Sequence, residues 1–324
     1  MGYLTKYGSL WGQIPQTPGQ VIWVAPAASY TVDGIAYTAS DSNDGLSPAR
    51  AVLTVDYAIG LTTANVGDVV VLLPGAHSSA ATVTLDVAGI TVTGMPGSLP
   101  MHGARMPGGS GRNKCSITNT ATAGFCFTVS ADDVEIAWLD LIPVAAGGRG
   151  VYAQAGADRL YVHDCTFSMI ATAATSTYGV ALGTVATGVN EDTIIRNCYF
   201  QSGSSATSGA NGAGVVAINT VYGLSIENCT FINKGTAAWA IAVQTISTVG
   251  NWSMRDCDFL ASSLATSLIT TAVNSAGTVD GSAQLYRCYF AGLTDAATSA
   301  VSIDIVLAEC YLASNAGGVI AANS

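Results

Sequence analysis

Five stretches of the chain share one frame: "HDCTF" at 163–167, "RNCYF" at 196–200, "ENCTF" at 227–231, "RDCDF" at 255–259 and "YRCYF" at 286–290. With Cys310, the six cysteines are separated by 33, 31, 28, 31 and 22 residues. A unit that recurs every ~20–50 residues is typical of a solenoid, in which each repeat contacts only its neighbours. A constant frame at variable intervals predicts loops of different length around one repeated structural rung.

Large apolar residues stand at spacings of two around each cysteine. Phe167, Phe200, Phe231, Phe259, Phe290 and Leu312 lie two residues after it, and mostly apolar residues lie three and five before it. Spacing by two predicts β-strands, and the single step of three predicts a bend between two strands. Asp or Asn precedes the cysteine in four rungs, which suits a left-handed corner: Asp164, Asn197, Asn228 and Asp256.

A third strand per coil is predicted upstream of each motif, at "GVYAQ" 150–154, "GVALG" 179–183, "GVVAI" 214–218, "AIAVQ" 240–244 and "AVSID" 300–304. Three short strands per coil with stacked identical residues predict an all-β fold, a parallel β-helix of roughly nine coils at ~4.8 Å per coil. A short helix at "LTVDYAIGL" 53–61 is expected to cap the first coil, before the strand in "GDVVVLLPG" at 67–75. The expected organisation is an N-terminal arm at 1–36, an entry turn and capping helix at 37–66, and the β-helix at 67–324.

The repeated cysteines could bind a metal, pair as disulfides or form one column of the core. Zinc ligands come in short clusters such as C-x₂-C, whereas these cysteines stand singly, about 30 residues apart. Adjacent rungs bring cysteines near disulfide distance, but a cytosolic site of synthesis disfavours oxidation. The pattern favours buried free thiols that act as small apolar residues. No metal or cofactor site is predicted.

The composition excludes several classes of partner. The chain of 324 residues has a net charge of −10, which argues against nucleic-acid binding. No apolar run is long enough for a membrane span, and the first residues lack the apolar segment of a signal peptide. Only 10% of the residues are charged, so part of the surface is expected to be buried against other copies of the chain.

The subunit contact is expected on the outward side of the third strand. Its side chains are nearly uncharged along the whole rod, and a monomeric surface would normally carry charged residues there. We predict a homo-oligomer, a trimer, joined along this column: Tyr152, Ala181, Val216, Ala242, Thr270 and Ser302.

Two further outward columns carry the groups that could do chemistry. The first is His163, Arg196, Glu227, Arg255 and Tyr286, predicted to be an ion-pair ladder or a sugar subsite. The second is Asp140, Thr166, Tyr199, Thr230, Asp258, Tyr289 and Tyr311. Glu227 and Asp258 are on adjacent rungs, and glycoside hydrolysis needs two carboxylates about 5–10 Å apart. Nothing else supports the pair, so no catalytic residue is assigned.

Residues near the start of the rod are expected to contact other components. The Gly- and Pro-rich loop at 97–114 carries Arg105, Arg112 and Lys114, and the N-terminal arm carries Trp11 and Trp23 as candidate anchors. "DSNDG" at 41–45 is predicted to be a turn, since it lacks the spacing of a calcium loop. His77 and His102 are isolated in the sequence.

The segment "YTASDSNDGLSPARAVLTVDYAIGLTTANVGDVVVLLPGAH" at 37–77 resembles the entry of right-handed parallel β-helix proteins of the pectate-lyase-like superfamily. The rungs with Asn or Asp before the cysteine are similar to those of virion proteins from tailed bacteriophages. This resemblance implies a virion structural protein, either a capsid decoration or a tail appendage, made in the host cytoplasm. Its implied partners are other virion proteins and host surface carbohydrate. The alternative is a tailspike-like enzyme that degrades surface polysaccharide, a glycoside hydrolase or lyase.

Overall fold

The structure is a computed structural model that describes most of the chain. The described residues are 19–32, 34–95, 115–120, 124–144, 147–169, 177–183, 188–202, 213–233, 239–246, 249–261, 269–275, 283–291, 293–299 and 305–313. The predicted loop at 97–114, His102 and Trp11 lie outside these ranges.

Three parallel sheets account for most of the described residues. Sheet 1 has ten strands, in spatial order Val21–Val24, Val69–Leu72, Thr91–Gly94, Glu135–Ala137, Tyr161–His163, Ile194–Arg196, Ser225–Glu227, Trp252–Arg255, Ala283–Tyr286 and Ile305–Ala308. Sheet 2 has nine, at Gly75–Ser79, Cys115–Asn119, Asp140–Pro143, Thr166–Met169, Tyr199–Ser202, Thr230–Asn233, Asp258–Ala261, Tyr289–Ala291 and Tyr311–Ala313. Sheet 3 has eight, at Val83–Leu85, Phe125–Val129, Arg149–Ala153, Tyr178–Leu182, Ala213–Ala217, Trp239–Thr245, Ile269–Ser275 and Leu293–Ser299.

The chain passes through sheets 1, 2 and 3 once in every coil, so each strand pairs with its equivalents one coil before and after. A smaller sheet, sheet 4, adds a fourth side to three middle coils, with strands Val189–Glu191, Thr220–Tyr222 and Val249–Gly250. Parallel strands joined by crossovers almost always wind in a right-handed sense. The predicted right-handed parallel β-helix is confirmed.

The first coil is covered by local structure that precedes the regular repeat. A hairpin of Ser29–Val32 and Ile35–Thr38 is followed by a 3-10 helix at Pro48–Arg50 and an α-helix at Val55–Gly60. Thr54 caps the α-helix, because its hydroxyl accepts a hydrogen bond from the backbone N–H of Tyr57. This helix packs on the sheet 1 strands Val21–Val24 and Val69–Leu72 and confirms the predicted cap.

The predicted boundary at residue 36 does not match the start of the sheet. Val21–Val24 lies within the expected arm, yet it pairs in register with Val69–Leu72 and forms the first strand of sheet 1. Trp23 is 3% exposed, so the predicted role of this side chain as a docking anchor is wrong. The strand is covered on both faces, so its sequence "VIWV" is apolar throughout and lacks the alternation of apolar and polar residues by which the strands of the repeat were predicted.

The cysteine and phenylalanine columns lie inside the solenoid, as predicted. Phe167, Phe200, Phe231, Phe259 and Phe290 stack with ring centroids 4.6–5.0 Å apart and interplanar angles of 4–7°. This distance equals the spacing of parallel strands, so each coil adds one ring to the stack. The cysteines are free thiols. In the five rungs from Cys165 to Cys288, the Sγ atom lies 3.6–4.0 Å from a carbonyl oxygen of the preceding coil.

The predicted corners before the cysteines are left-handed. Asp164, Asn197, Asn228 and Asp256 have φ between 49° and 55°, and Arg287 and Glu309 adopt the same conformation at the equivalent positions. The corner N–H donates to a carbonyl of the next coil, for example from Asp164 to Arg196 at 3.1 Å. Side-chain amides add a ladder, in which Asn197 donates to Asp164 and Asn228 donates to Asn197. The corner therefore bonds successive coils where the chain turns.

Glycines at the start of three sheet 3 strands make room for the phenylalanine stack. A β-carbon added to Gly150, Gly179 or Gly214 would lie 2.6–2.7 Å from the ring of Phe167, Phe200 or Phe231 respectively. The next coil places Ala242 at this position, since Val215 pairs with Val243. The repeated "GV" of the sequence is thus a packing requirement of the stack.

Within the ranges given above, no helix has the length and apolar character needed to cross a membrane.

Candidate functional site: the charged face of sheet 1

The first predicted column of charged residues is present on the outward face of sheet 1. His163, Arg196, Glu227, Arg255 and Tyr286 are register neighbours in five successive strands. Each lies two residues before a cysteine, next to the left-handed corner. Parallel strand pairing holds the backbone of the column in place from coil to coil. Within this column Glu227 lies between two arginines, Arg196 and Arg255, on the neighbouring strands.

Glu227 is held between two arginines. Its carboxylate lies 2.5 Å from Arg255 and 3.8 Å from Arg196, and Ser225 donates a hydrogen bond at 3.0 Å. Burial raises the pKa of Glu227, but the hydrogen bonds from Arg255 and Ser225 and the charges of both arginines outweigh it and lower this pKa overall. Glu227 is therefore a fixed anion at neutral pH, which confirms the ion-pair reading for this part of the column.

His163 is enclosed by two carboxylates. Nε2 lies 2.7 Å from Glu135 Oε1 and Nδ1 lies 2.8 Å from Asp164 Oδ2, and the Tyr161 ring stacks on the imidazole at 4.3 Å. Burial lowers the pKa of His163, but the hydrogen bonds to Asp164 and Glu135, together with their charges, outweigh it and raise this pKa to about 9. The hydrogen bond from His163 likewise lowers the pKa of Glu135. Both ring nitrogens donate, so His163 is an imidazolium at neutral pH.

The stability of the protein is expected to fall between about pH 6.5 and pH 9 through His163. A pKa raised from 6.5 to about 9 stabilises the fold fully below pH 6.5, and this contribution is lost as the pH rises through the folded-state value. The loss is on the order of 3 kcal/mol. Unfolded cysteines also ionise near pH 8.5, so the quantity to measure is the difference in unfolding free energy between the unchanged protein and H163Q. A difference independent of pH would contradict the assignment.

A second set of corners, missed in the sequence, carries further ion pairs. Asp133, Arg159, Asp192 and Asn251 have positive φ and stand six residues before the corresponding cysteine or its equivalent. Arg159 binds Asp133 at 2.6 Å and Asp132 at 3.3 Å. Asp, Asn or Gly recurs six residues before the cysteine position in most coils, and this recurrence could have predicted the second corner from the sequence.

The two carboxylates of the predicted glycosidase pair are not brought together on one face. Glu227 is on sheet 1 and Asp258 is on sheet 2, with a left-handed corner in the chain between these sheets. Asp258 is 7% exposed and pairs in register with Thr230. The register of the second predicted column is confirmed, but Asp140, Thr166, Tyr199 and Asp258 are buried, and the exposure expected for them is wrong.

Asp140 forms a buried polar network that sequence reasoning did not identify. Ser168 donates to Asp140 Oδ1 at 3.0 Å, and Gln201 donates to Ser168 at 2.6 Å. Burial raises the pKa of Asp140, and the hydrogen bond from Ser168 lowers it by less. The three residues occupy outward positions of successive sheet 2 strands. A polar residue at an outward position is expected to be exposed, and for this reason the sequence did not indicate a buried network.

The remaining predicted positions are structural. Asp41 accepts hydrogen bonds from the backbone N–H groups of Leu53 and Thr54, and Asp44 pairs with Arg50 at 2.6 Å, so "DSNDG" is a turn as predicted. His77 is buried with Nε2 2.9 Å from the Leu73 carbonyl oxygen. Among the described residues, no group of three or more His, Cys, Asp or Glu side chains is arranged to hold a metal ion.

The strand face expected to join subunits differs from the prediction in two ways. Val216 pairs with Gln244, and Gln244 pairs with Asn274. The predicted column is therefore two residues out of register at Ala242 and four at Thr270. Ser302 lies outside the described residues, and the last sheet 3 strand is Leu293–Ser299. Ala181 and Val216 are buried within a single chain, so they do not offer an exposed interface. The oligomeric state stays a prediction.

Comparison with known proteins identifies the fold. No family model matches the chain, and no curated protein matches it. The pectate lyase Pel9A matches with a TM-score of 0.58 and 12% identity over 87% of this chain and 68% of that chain. A rhamnogalacturonan lyase matches with a TM-score of 0.56 and 12% identity over 86% and 70%. ORF18 of Geobacillus virus E2 has a TM-score of 0.45 and 14% identity over 79% and 55%. The two lyases share the fold of the chain, a right-handed parallel β-helix.

Proposed function

We propose that the chain is a structural protein of a bacteriophage virion, an oligomeric β-helix displayed on the particle as a capsid decoration or part of a tail appendage. The observation that carries this proposal is the pairing of charges on the outward face of sheet 1. Glu227 is bound by two arginines, and His163 is bound by two carboxylates.

Paired, fully ionised groups suit a scaffold better than an active site. A general acid or base works best with a pKa near the operating pH. The pKa values of Glu227 and Glu135 lie below their usual range, and that of His163 is raised to about 9. These groups neither give nor take a proton at neutral pH, whereas their pairing joins one coil to the next.

The proposed partners are other copies of the chain, as a trimer, and other capsid or tail proteins, with host surface carbohydrate as a further ligand. The proposed location is the virion, after synthesis in the host cytoplasm. Docking through the N-terminal residues is part of this proposal. A deletion that tests it has to end at residue 18, because Val21–Val24 is a strand of sheet 1.

A polysaccharide-degrading enzyme is the second candidate, favoured by Asp140. This buried carboxyl has a raised pKa, as the general acid of a glycosidase requires. Two of the similar solved structures are lyases by their titles. The network of Asp140, Ser168 and Gln201 is the place where such chemistry would be sought.

Two measurements separate the candidates. Particles made by the host that carries this gene are purified and analysed by mass spectrometry; the structural role requires the chain at a fixed copy number, and its absence from particles would refute that role. In parallel, host capsule or lipopolysaccharide is incubated with the protein and sized. Shortening of the sugar that is lost in D140N and retained in E227Q would establish the enzyme instead.

A further inference from the structure

Three aromatic side chains on the outward face of sheet 3 surround one arginine. Phe125, Arg149 and Tyr178 begin successive strands and are register neighbours, and Tyr152 lies three residues after Arg149. The guanidinium carbon of Arg149 is 4.1 Å from the ring centroid of Tyr152, 4.9 Å from that of Phe125 and 5.9 Å from that of Tyr178. Contact with three rings holds the cation in one position.

The charge of Arg149 is unmatched within the described part of the chain. The other five arginines described there each have a carboxylate oxygen at 2.5–3.8 Å, and Arg149 has none. Its Nε is buried without a hydrogen-bond partner. A carboxylate bound to the guanidinium would supply the charge-assisted hydrogen bonds that this cation lacks within the described part of its own chain.

Glu191 has the charge opposite to that of Arg149 and lies at nearly the same position along the solenoid axis. It ends the sheet 4 strand Val189–Glu191, its side chain is exposed, and among the described residues no cation pairs with it. Its backbone is fixed by hydrogen bonds to Asp158 and Arg159. The strand Val189–Glu191 follows Tyr178–Leu182 in the chain, one coil beyond the strand that carries Arg149.

We propose that the Arg149 cluster is the anchor of the contact between copies of this chain, and that its guanidinium binds the carboxylate of Glu191 of the partner subunit. In a ring whose axis runs along the solenoid, every residue keeps its height, so contacting residues lie on the same or adjacent coils. The offset here is one coil, ~4.8 Å, which an arginine side chain spans. Sheet 3 and sheet 4 are different faces of the rod, as a closed ring of head-to-tail contacts requires.

The composition of the cluster fits a protein interface. Tyrosine, phenylalanine and arginine are enriched at interfaces, and tyrosine and arginine dominate their binding energy. The chain has 21 acidic and 11 basic residues, so a second copy brings an excess of carboxylates to an unpaired arginine. The four side chains of the cluster are half-buried, whereas Ala181 and Val216 of the predicted column are fully buried, so the cluster is the accessible part of this face. This inference rests on the oligomeric part of the proposed function and not on its place in a virion.

Sedimentation analysis of the full chain tests the contact, with the variants R149E, E191R and the double variant R149E/E191R. Each single change is expected to weaken self-association by on the order of 30-fold, and the exchanged pair is expected to recover most of that loss. R50E is the matched control, because Arg50 pairs with Asp44 near the N-terminal hairpin. Circular dichroism checks that each variant is folded; if R149E is not, the exposed E191R variant and R149Q decide the question.

A stable monomer at micromolar concentration, or E191R and R149E that associate like the unchanged protein, would overturn the proposal. Because these measurements use purified protein, their failure leaves the particle analysis unaffected. Conversely, absence of the chain from particles would leave an Arg149–Glu191 contact intact.

Discussion

Replacing Phe231 with alanine is expected to lower the free energy of unfolding by about 4 kcal/mol. Phe231 is completely buried and stacks between Phe200 at 4.7 Å and Phe259 at 4.9 Å. The change removes the ring from a core closed on every side and breaks two aromatic contacts, each worth about 0.5–1.5 kcal/mol. Because strand pairing above and below fixes the backbone, the cavity cannot close by collapse.

Chemical denaturation of F231A and Y222A measures this effect against a matched control. Tyr222 is an aromatic residue of the same coil and is 37% exposed, so its truncation is expected to cost less than about 1 kcal/mol. Equal losses for the two variants would show that the phenylalanine stack does not carry the stability assigned to it.

Replacing Gly179 with alanine is expected to destabilise the fold by about 3 kcal/mol, although it adds a single methyl group. The new β-carbon would lie 2.5 Å from the carbonyl oxygen of Gly214 and 2.6 Å from Phe200 Cδ1. Neither atom can move freely, because Gly214 belongs to the neighbouring strand and Phe200 is held in the stack. The strand has to shift away from the core, and its pairing with both neighbours weakens.

The control for G179A is G60A at the end of the capping helix, where an added β-carbon meets nothing within 4 Å. Thermal unfolding of G60A is expected to match the unchanged protein closely. In the G179A background, F200L should recover part of the loss, because it removes the clash with the ring but not the clash with the Gly214 carbonyl. A G179A variant as stable as G60A would refute the close packing of glycine against phenylalanine.

The spacing of Cys165, Phe167 and their equivalents predicted the interior of the rod correctly. A position that points inward in every coil is filled by the same residue type, so its period appears directly in the sequence. The corners were also predictable at Asp164 and Asn197, where the residue type favours the left-handed conformation. At Arg287 and Glu309 the strand pairing imposes that conformation on residues with no local preference for it.

The register of sheet 3 could not be read from the sequence beyond Val216. A shift by two residues preserves the alternation of inward and outward positions, so Ala242 and Gln244 fit the same pattern equally well. The structure resolves this choice by packing, since the small Ala242 takes the position of Gly214 beneath the phenylalanine stack. The Gly-Val pair, rather than alternation, was the informative signal.

The charged face was predictable as a column but not as a chemical site. The sequence places Glu227 between Arg196 and Arg255, which is enough to predict the ion pairs. One partner of His163, Asp164, is adjacent in the sequence, but the other, Glu135, lies 28 residues earlier and one coil away. Burial disfavours the charged form of a group, and a hydrogen-bonded partner of opposite charge favours it. Which effect is larger depends on the neighbours in three dimensions, so the directions of the pKa shifts follow only from the structure.

Titration of the native cysteines tests most directly that the repeated motif is an internal ladder. Seven of the eight cysteines are buried and Cys310 is half-buried, and burial raises the pKa of Cys115 and Cys126 to about 12. A thiol reagent is therefore expected to modify at most one cysteine of the folded protein and all eight after denaturation. Rapid modification of several thiols in the native state would contradict the ladder and the fold built on it.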